Sequence, residues 1–256
     1  MQRGETVQIK LKCLPGYRGK IPAPVLGSDG LPDWFRAMPS RTESETIGGL
    51  EIATFKQCVP FLDAVRSGIL FPLATDLHVK DGELSWDWDL DKVAGTRTTR
   101  SPIGLHPPEQ WRGAPLRADS RHFVVKFSNF WTIETPPGVS LLFGHPFNRE
   151  DLPFRALSGI VDVDVFTRGF VHFPAMWTDP DFEGTLPAGT PVAQAIPVLR
   201  DGLSLEIGEL DADELQQQID FQDALREDGA LYRKAYRQPR PRKGSASDQA
   251  LEEDAD

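Results

Sequence analysis

Cysteine is almost missing from this chain: its 256 residues include two, Cys13 and Cys58. Two thiols cannot build a disulfide scaffold or a cysteine-only zinc site, so an ordinary apolar core must hold the fold. Both are expected to be reduced. Each stands shortly before a proline, in Cys13-Leu14-Pro15 and Cys58-Val59-Pro60, with no histidine beside it, which argues against a thiol nucleophile. No apolar run approaches the ~18 residues of a membrane-spanning helix, and Met1–Glu5 opens without the apolar stretch of a secretory signal. The expectation is a cytoplasmic protein without a membrane partner. A phosphate-binding Gly-x-x-x-x-Gly-Lys-[Ser/Thr] loop, a Gly-x-Gly-x-x-Gly fingerprint and a Gly-x-Ser-x-Gly nucleophile elbow are all missing. Positive charge is also in deficit, with 28 Lys and Arg against 38 Asp and Glu and a net charge of −10. That balance opposes tight, nonspecific duplex binding, and the aromatics are not interleaved with basic residues as single-strand binders require. Nucleic acid is no obvious partner.

What the chain has in excess is punctuation. Glycine and proline contribute 22 residues each, which favours many short elements joined by turns over a helical bundle. A hydrophobic share of 39% still allows a sizeable core. Charge is blocky toward the end: residues 205–228 carry nine acids against Arg226, six basic residues follow from Arg233 to Lys243, and five acids lie between Asp248 and Asp256. Such blocks read as solvated extensions. Four segments result. Residues 1–57 are a Pro/Gly-rich N-terminal arm packed on the core, 58–204 a β domain, 205–238 an acidic then basic helical extension, and 239–256 a disordered tail.

Local patterns fill in the elements. Val7–Leu14 is a strand candidate, and Asp33-Trp34-Phe35 a helical turn that tucks its aromatics inward. Pro60–Ser67 is a short helix, with proline in its first turn and Gly68 placed to end it in a left-handed conformation. Leu70–Lys80 and Glu83–Leu90 flank Asp81-Gly82, the dipeptide of a two-residue hairpin turn. Leu84, Trp86 and Trp88 alternate with polar residues and read as a core-facing stripe. Residues 91–120 read as a long surface excursion. Phe123–Glu134, Val139–Phe143, Ile160–Val165, Gly169–Phe173 and Pro191–Leu199 are further strands. Asp211 and Glu214 form a capping box that opens a C-terminal helix. The expected fold is mainly β, a β barrel or sandwich of dUTPase-like or jelly-roll-like type with long loops.

Asn129-Phe130-Trp131-Thr132-Ile133, Pro136-Pro137-Gly138-Val139-Ser140 and Ser158–Asp164 resemble a group of β-rich bacterial and tailed-phage proteins with no assigned activity, over about residues 58–200. Gly159-Ile160-Val161-Asp162-Val163-Asp164, the Pro137-Gly138 turn and Pro187–Gln194 also resemble the trimeric dUTPase and dCTP deaminase superfamily. The resemblance implies a nucleotide pocket, phosphoryl hydrolysis with Mg, and a symmetric homo-oligomer. Asp162 would position water, Phe166 would pack on the sugar, and Gln194 would bond the base or a phosphate oxygen. Gly144-His145-Pro146-Phe147-Asn148-Arg149 stands where the family carries its Arg-Ser phosphate motif, which leaves Arg149 and His145 as ligand contacts. Apart from any family, a strand through this stretch puts Ile160, Asp162 and Asp164 on one face, where two carboxylates can share a water or a cation.

Two other readings compete. His122, His145 and His172 lie on or beside strands and, with a carboxylate, would suit iron in a cupin-like oxygenase or isomerase. A non-enzymatic assembly module of phage-related type would instead use Trp34, Trp131 and the loop around Trp111 for contacts.

Overall fold

The computed structural model describes residues 6–90, 93, 100–115, 123–200 and 202–227. These form a mainly β protein with sixteen strands and three α-helices. From the N-terminal side come β1 (Lys10–Cys13), β2 (Val25–Leu26), helix α1 (Asp33–Ala37), β3 (Arg41–Ser44), β4 (Leu50–Ala53) and helix α2 (Val59–Arg66). The middle supplies β5 (Ile69–Pro72), β6 (Leu77–Lys80), β7 (Glu83–Ser85), β8 (Ile103–His106), β9 (Val124–Phe127), β10 (Trp131–Glu134) and β11 (Val139–Gly144). Then follow β12 (Phe154–Ala156), β13 (Gly159–Val161), β14 (Phe173–Trp177), β15 (Gly184–Leu186), β16 (Pro191–Leu199) and helix α3 (Ala212–Glu227). No helix among the described residues is long and apolar enough to cross a membrane.

The chain divides into two compact units, the larger of residues 7–36 and 63–200. Its main sheet has the order β13-β11-β16-β5-β2, and a second sheet runs β12-β14-β9-β8. A three-stranded sheet β15-β6-β7 and the pair β1-β10 complete it, and none of these sheets closes into a barrel. The two large sheets share one core. Phe71 on β5, Phe143 on β11 and Phe173 on β14 meet with ring centroids 5.2–5.8 Å apart, and all three are buried. Tilted aromatic contacts of this kind add to the area they bury. The hairpin at Asp81-Gly82 forms as its sequence dictates: φ is 52° and 75° at the two residues, the paired left-handed conformation of a type I′ turn. Gly68 ends α2 with φ 66°.

The smaller unit comprises, of the described residues, 6, 37–62 and 202–227. Its β3–β4 hairpin carries an Arg41–Glu51 ion pair at 2.7 Å, and Phe55 stacks on Phe61 at 5.2 Å. The capping box at α3 is made in full: Asp211 accepts from the amides of Asp213 and Glu214, and Glu214 accepts from the amide of Asp211. No residue of α3 is buried.

Four expectations need correction. Leu70–Lys80 is two strands, β5 and β6, which join different sheets, and Glu83–Leu90 stays a strand only to Ser85. The excursion at 91–120 contains a strand, β8, because Ile103 is buried and the segment completes the edge of β9. The long strand at 123–134 breaks into β9 and β10, since Asn129 bonds the backbone of Trp131 through both its Oδ1 and Nδ2 and forms a local turn. Gly169–Phe173 is not a strand; only Phe173 enters β14. The Arg233–Lys243 run and the 239–256 tail lie outside the described residues.

Candidate functional site

The stretch that carries the two acids is a strand for three residues only. β13 stops at Val161, and from there the amide of Val163 bonds Val161 O at 3.0 Å while the amides of Val165 and Phe166 bond Asp162 O at 3.0 and 2.8 Å. The pleated ribbon expected over 160–165 is therefore a turn. Its cause is Val163, fully buried as a plug in the core, while Ile160 and Val165 stay exposed.

The turn gathers Asp162 and Asp164 around one cation. Arg200, just beyond β16, donates Nη1 to Asp164 Oδ1 at 2.6 Å and Nη2 to Asp164 Oδ2, and its Nη1 lies 3.4 Å from Asp162 Oδ1. Ser140 Oγ accepts from Arg200 at 3.1 Å and donates to Asp162 at 2.6 Å. The Gly138 amide donates to Asp164 at 2.9 Å, from a Pro-Pro-Gly turn in which Gly138 takes φ 81°. Hydrogen bonds from Arg200 and then Gly138 hold the Asp164 carboxyl well below the usual carboxylate range, and Asp164 in turn raises Arg200. A carboxylate so engaged is a poor general base. The guanidinium also takes the place between the two acids that a divalent cation would need, so these residues do not fit Mg. Asp162 alone keeps an accessible carboxylate, with its side chain 55% exposed.

The other expected residues separate into two roles. Phe166 is exposed and lies over Gly169, where a Cβ would collide with its ring. Gln194 is buried inside the main sheet. Its Oε1 accepts from the Phe147 amide at 2.8 Å, and its Nε2 donates to Ala64 O at 3.0 Å and Ser67 O at 2.6 Å. His145 Nε2 donates to Arg149 O at 2.9 Å, while its Nδ1 accepts from the Ala156 amide at 3.2 Å. That arrangement needs a neutral ring, and burial lowers the His145 pKa accordingly. Both residues thus brace the 145–149 loop, whose Asn148 sits at φ 59°, and so aim Arg149.

Histidine does not supply a metal centre among the described residues, where no three His, Cys, Asp or Glu side chains are grouped to hold an ion. His145 has both ring nitrogens engaged by backbone. His172 accepts from the Asn129 amide through Nδ1 and lies 3.4 Å from Arg100 through Nε2; burial, then Arg100 and Lys126, pull its pKa down to about 4. His122 lies outside the described residues. His145 and His172 do not fit iron.

No protein-family model matches the chain, and no curated protein does.

Arg149 itself borders a cleft of about 510 Å³ within the larger unit. Its walls are apolar and rich in proline: Pro22, Val25, Leu31, Leu70, Pro72 and Pro191. Polar groups enter from two sides, Asp33 and Trp34 on α1 and the Arg149–Asp151 pair on the loop after β11. Arg149 Nε and Nη2 donate to the two Asp151 oxygens at 2.8 and 2.9 Å, a bidentate grip. Burial works to raise the Asp151 pKa, but the hydrogen bond and charge of Arg149 outweigh it and the net shift is downward. Trp34 Nε1 is buried and approaches Asp151 without reaching hydrogen-bond geometry. Phe35, fully buried beside it at 5.7 Å, anchors the helical turn that presents the indole. The expectation that Asp33-Trp34-Phe35 tucks its aromatics inward is met, but nothing in the sequence marked Trp34 or Asp151 as a neighbour of Arg149.

Proposed function

We propose that this is a β-fold protein that binds a small polar ligand in the cleft between α1 and the 145–151 loop. The observation that carries the reading is the meeting of the bidentate Arg149–Asp151 pair, the buried Trp34 indole N–H beside it and an apolar floor in one concave site. Ligand sites typically combine a mostly apolar lining with a few convergent polar groups. Trp34 Nε1 would donate to an acceptor on the ligand, and Arg149 would face its anionic or carbonyl edge. A nucleotide is the first candidate, on the resemblance to the dUTPase superfamily. Hydrolysis has less behind it, because Asp164 is neutralised by Arg200. On the same reading the five- and four-stranded sheets are the two leaves of a dUTPase-like or jelly-roll-like sandwich, supported by their common phenylalanine core.

The experiment is a thermal-shift panel of dUTP, dCTP, other nucleotides, amino acids and simple sugars. Stabilisation by one class should vanish in Trp34→Ala and in Arg149→Ala and survive in Asp162→Ala. A shift that Asp162→Ala abolishes moves the site to the Arg200 cluster. No shift with any compound removes the reading.

A further inference from the structure

Residues 202–210 run on from β16 without joining any sheet, yet they alternate as a strand does. Leu203, Leu205 and Ile207 are 98%, 83% and 85% exposed, and Ser204, Glu206 and Gly208 fall between them. Period-two alternation places the three apolar side chains on one face and Glu206 on the other. A strand with such a face needs a sheet edge to complete it.

One free edge in the fold matches it in both pattern and charge. β1 pairs only with β10, and among the described residues its outer side makes no backbone hydrogen bond. Its residues alternate in the same way: Ile9 and Leu11 are half-buried against the main core, while Lys10 and Lys12 point outward and are exposed. Lys10 reaches Glu134 at 3.2 Å, and its side chain remains 56% exposed. No other edge strand offers two exposed lysines: β2, β4, β7, β8, β10, β13 and β15 carry neither Lys nor Arg, Arg155 on β12 is held by Glu150 and Arg41 on β3 by Glu51, both at 2.7 Å. Arm-to-arm pairing is disfavoured, since residues 205–228 hold nine acids against one arginine.

We propose that residues 203–208 of one copy add as a strand to the free edge of β1 in a second copy of this chain. Leu203, Leu205 and Ile207 extend the face of Ile9 and Leu11, and Glu206 lies among Lys10 and Lys12. The contact joins two different surfaces: made in one direction around several copies it closes a ring, and made twice between two copies it is a two-fold reciprocal exchange. It also covers an edge strand that would otherwise be open to aggregation. This inference is independent of the ligand cleft, whose residues it does not use.

The test is light scattering of the full chain over a hundredfold range of concentration, together with hydrogen exchange. The unaltered protein should be a closed homo-oligomer with protected amides at 203–208 and on β1. Leu205→Asp with Ile207→Asp should give monomers with unchanged circular dichroism, since neither side chain contributes to the core. Lys10→Glu with Lys12→Glu should weaken association at least about tenfold, because like charges then face each other across the strands. Adding Ser204→Lys and Glu206→Lys to that variant should restore it. A monomer at every concentration, whether its arm is protected or not, overturns the proposal. So does an oligomer that survives the Leu205/Ile207 change, or a charge reversal that fails to restore assembly.

Discussion

Replacing Gln194 with alanine tests how the 145–149 loop is held. The side chain is 2% exposed and satisfies three backbone groups: the Phe147 amide, Ala64 O and Ser67 O. Each such bond contributes roughly 0.5–1.5 kcal/mol net, and a buried group left without a partner costs about 1–3 kcal/mol. Removing all three and leaving a small void sums to about 3 kcal/mol once the loop relaxes, or about 6–12 °C in Tm for a unit of this size. Gln194→Glu separates hydrogen bonding from volume. It keeps the acceptor for Phe147 but turns a carboxylate oxygen toward two carbonyls, so at neutral pH it should be at least as unstable as the alanine variant. It should recover part of the loss in acid, where the protonated carboxyl regains a donor. Urea and thermal unfolding of the three proteins at pH 7 and pH 5 read this directly. A loss below about 1 kcal/mol for Gln194→Ala, or a glutamate variant as stable as the original, would refute this account of the brace.

Two further outcomes follow from the same geometry. His172 has its folded pKa pulled down to about 4 from an unfolded value near 6.5, so the unfolded chain takes up the proton first. Its contribution is fully present above pH 6.5 and drains away as pH falls toward 4, by about 1–2 kcal/mol after allowance for its partial exposure; Tm measured across that window should fall less steeply in His172→Asn. Arg200→Gln removes the cation shared by Asp162 and Asp164, so the Asp164 carboxyl should return toward the ordinary carboxylate range. Carbon-detected NMR titration of the aspartates would show it, and an unmoved Asp164 would mean that Gly138 and the turn suffice.

Features written in a few adjacent residues were legible before any coordinates. Asp81-Gly82 forms its hairpin, Asp211 and Glu214 cap α3, Gly68 ends α2, and Pro191–Leu199 is a strand over its whole expected length, because turn chemistry, capping and alternation are local. Ile160–Val165 shows the limit of alternation. Six residues of apolar-polar rhythm fit a strand equally well as a turn in which Val163 is driven inward; what decides is the core space for Val163, and Arg200, 36 positions beyond Asp164, then grips the flanking acids. β8 stayed hidden since its burial comes from β9 and not from its own pattern. The cleft was the least legible feature. Arg149 stood out from a motif comparison, but its neighbours Trp34 and Asp33 lie more than a hundred positions upstream, and only the folded sheets bring them together. Gln194 and His145 were singled out for a ligand and instead brace the arginine, a distinction that hydrogen-bond partners make and residue type does not.

The proline content of the cleft has its own effect. Pro22, Pro32, Pro72 and Pro191 carry no backbone N–H and hold φ nearly constant, so that stretch of wall is both stiff and mute. A molecule entering would meet a mould cast in advance, and would give up little freedom of the host in settling there. Its chemical preference would be spoken by a handful of side chains, chiefly Trp34 and Arg149. Exchanging either one should redirect the choice of guest while the shape of the vessel stays as it was.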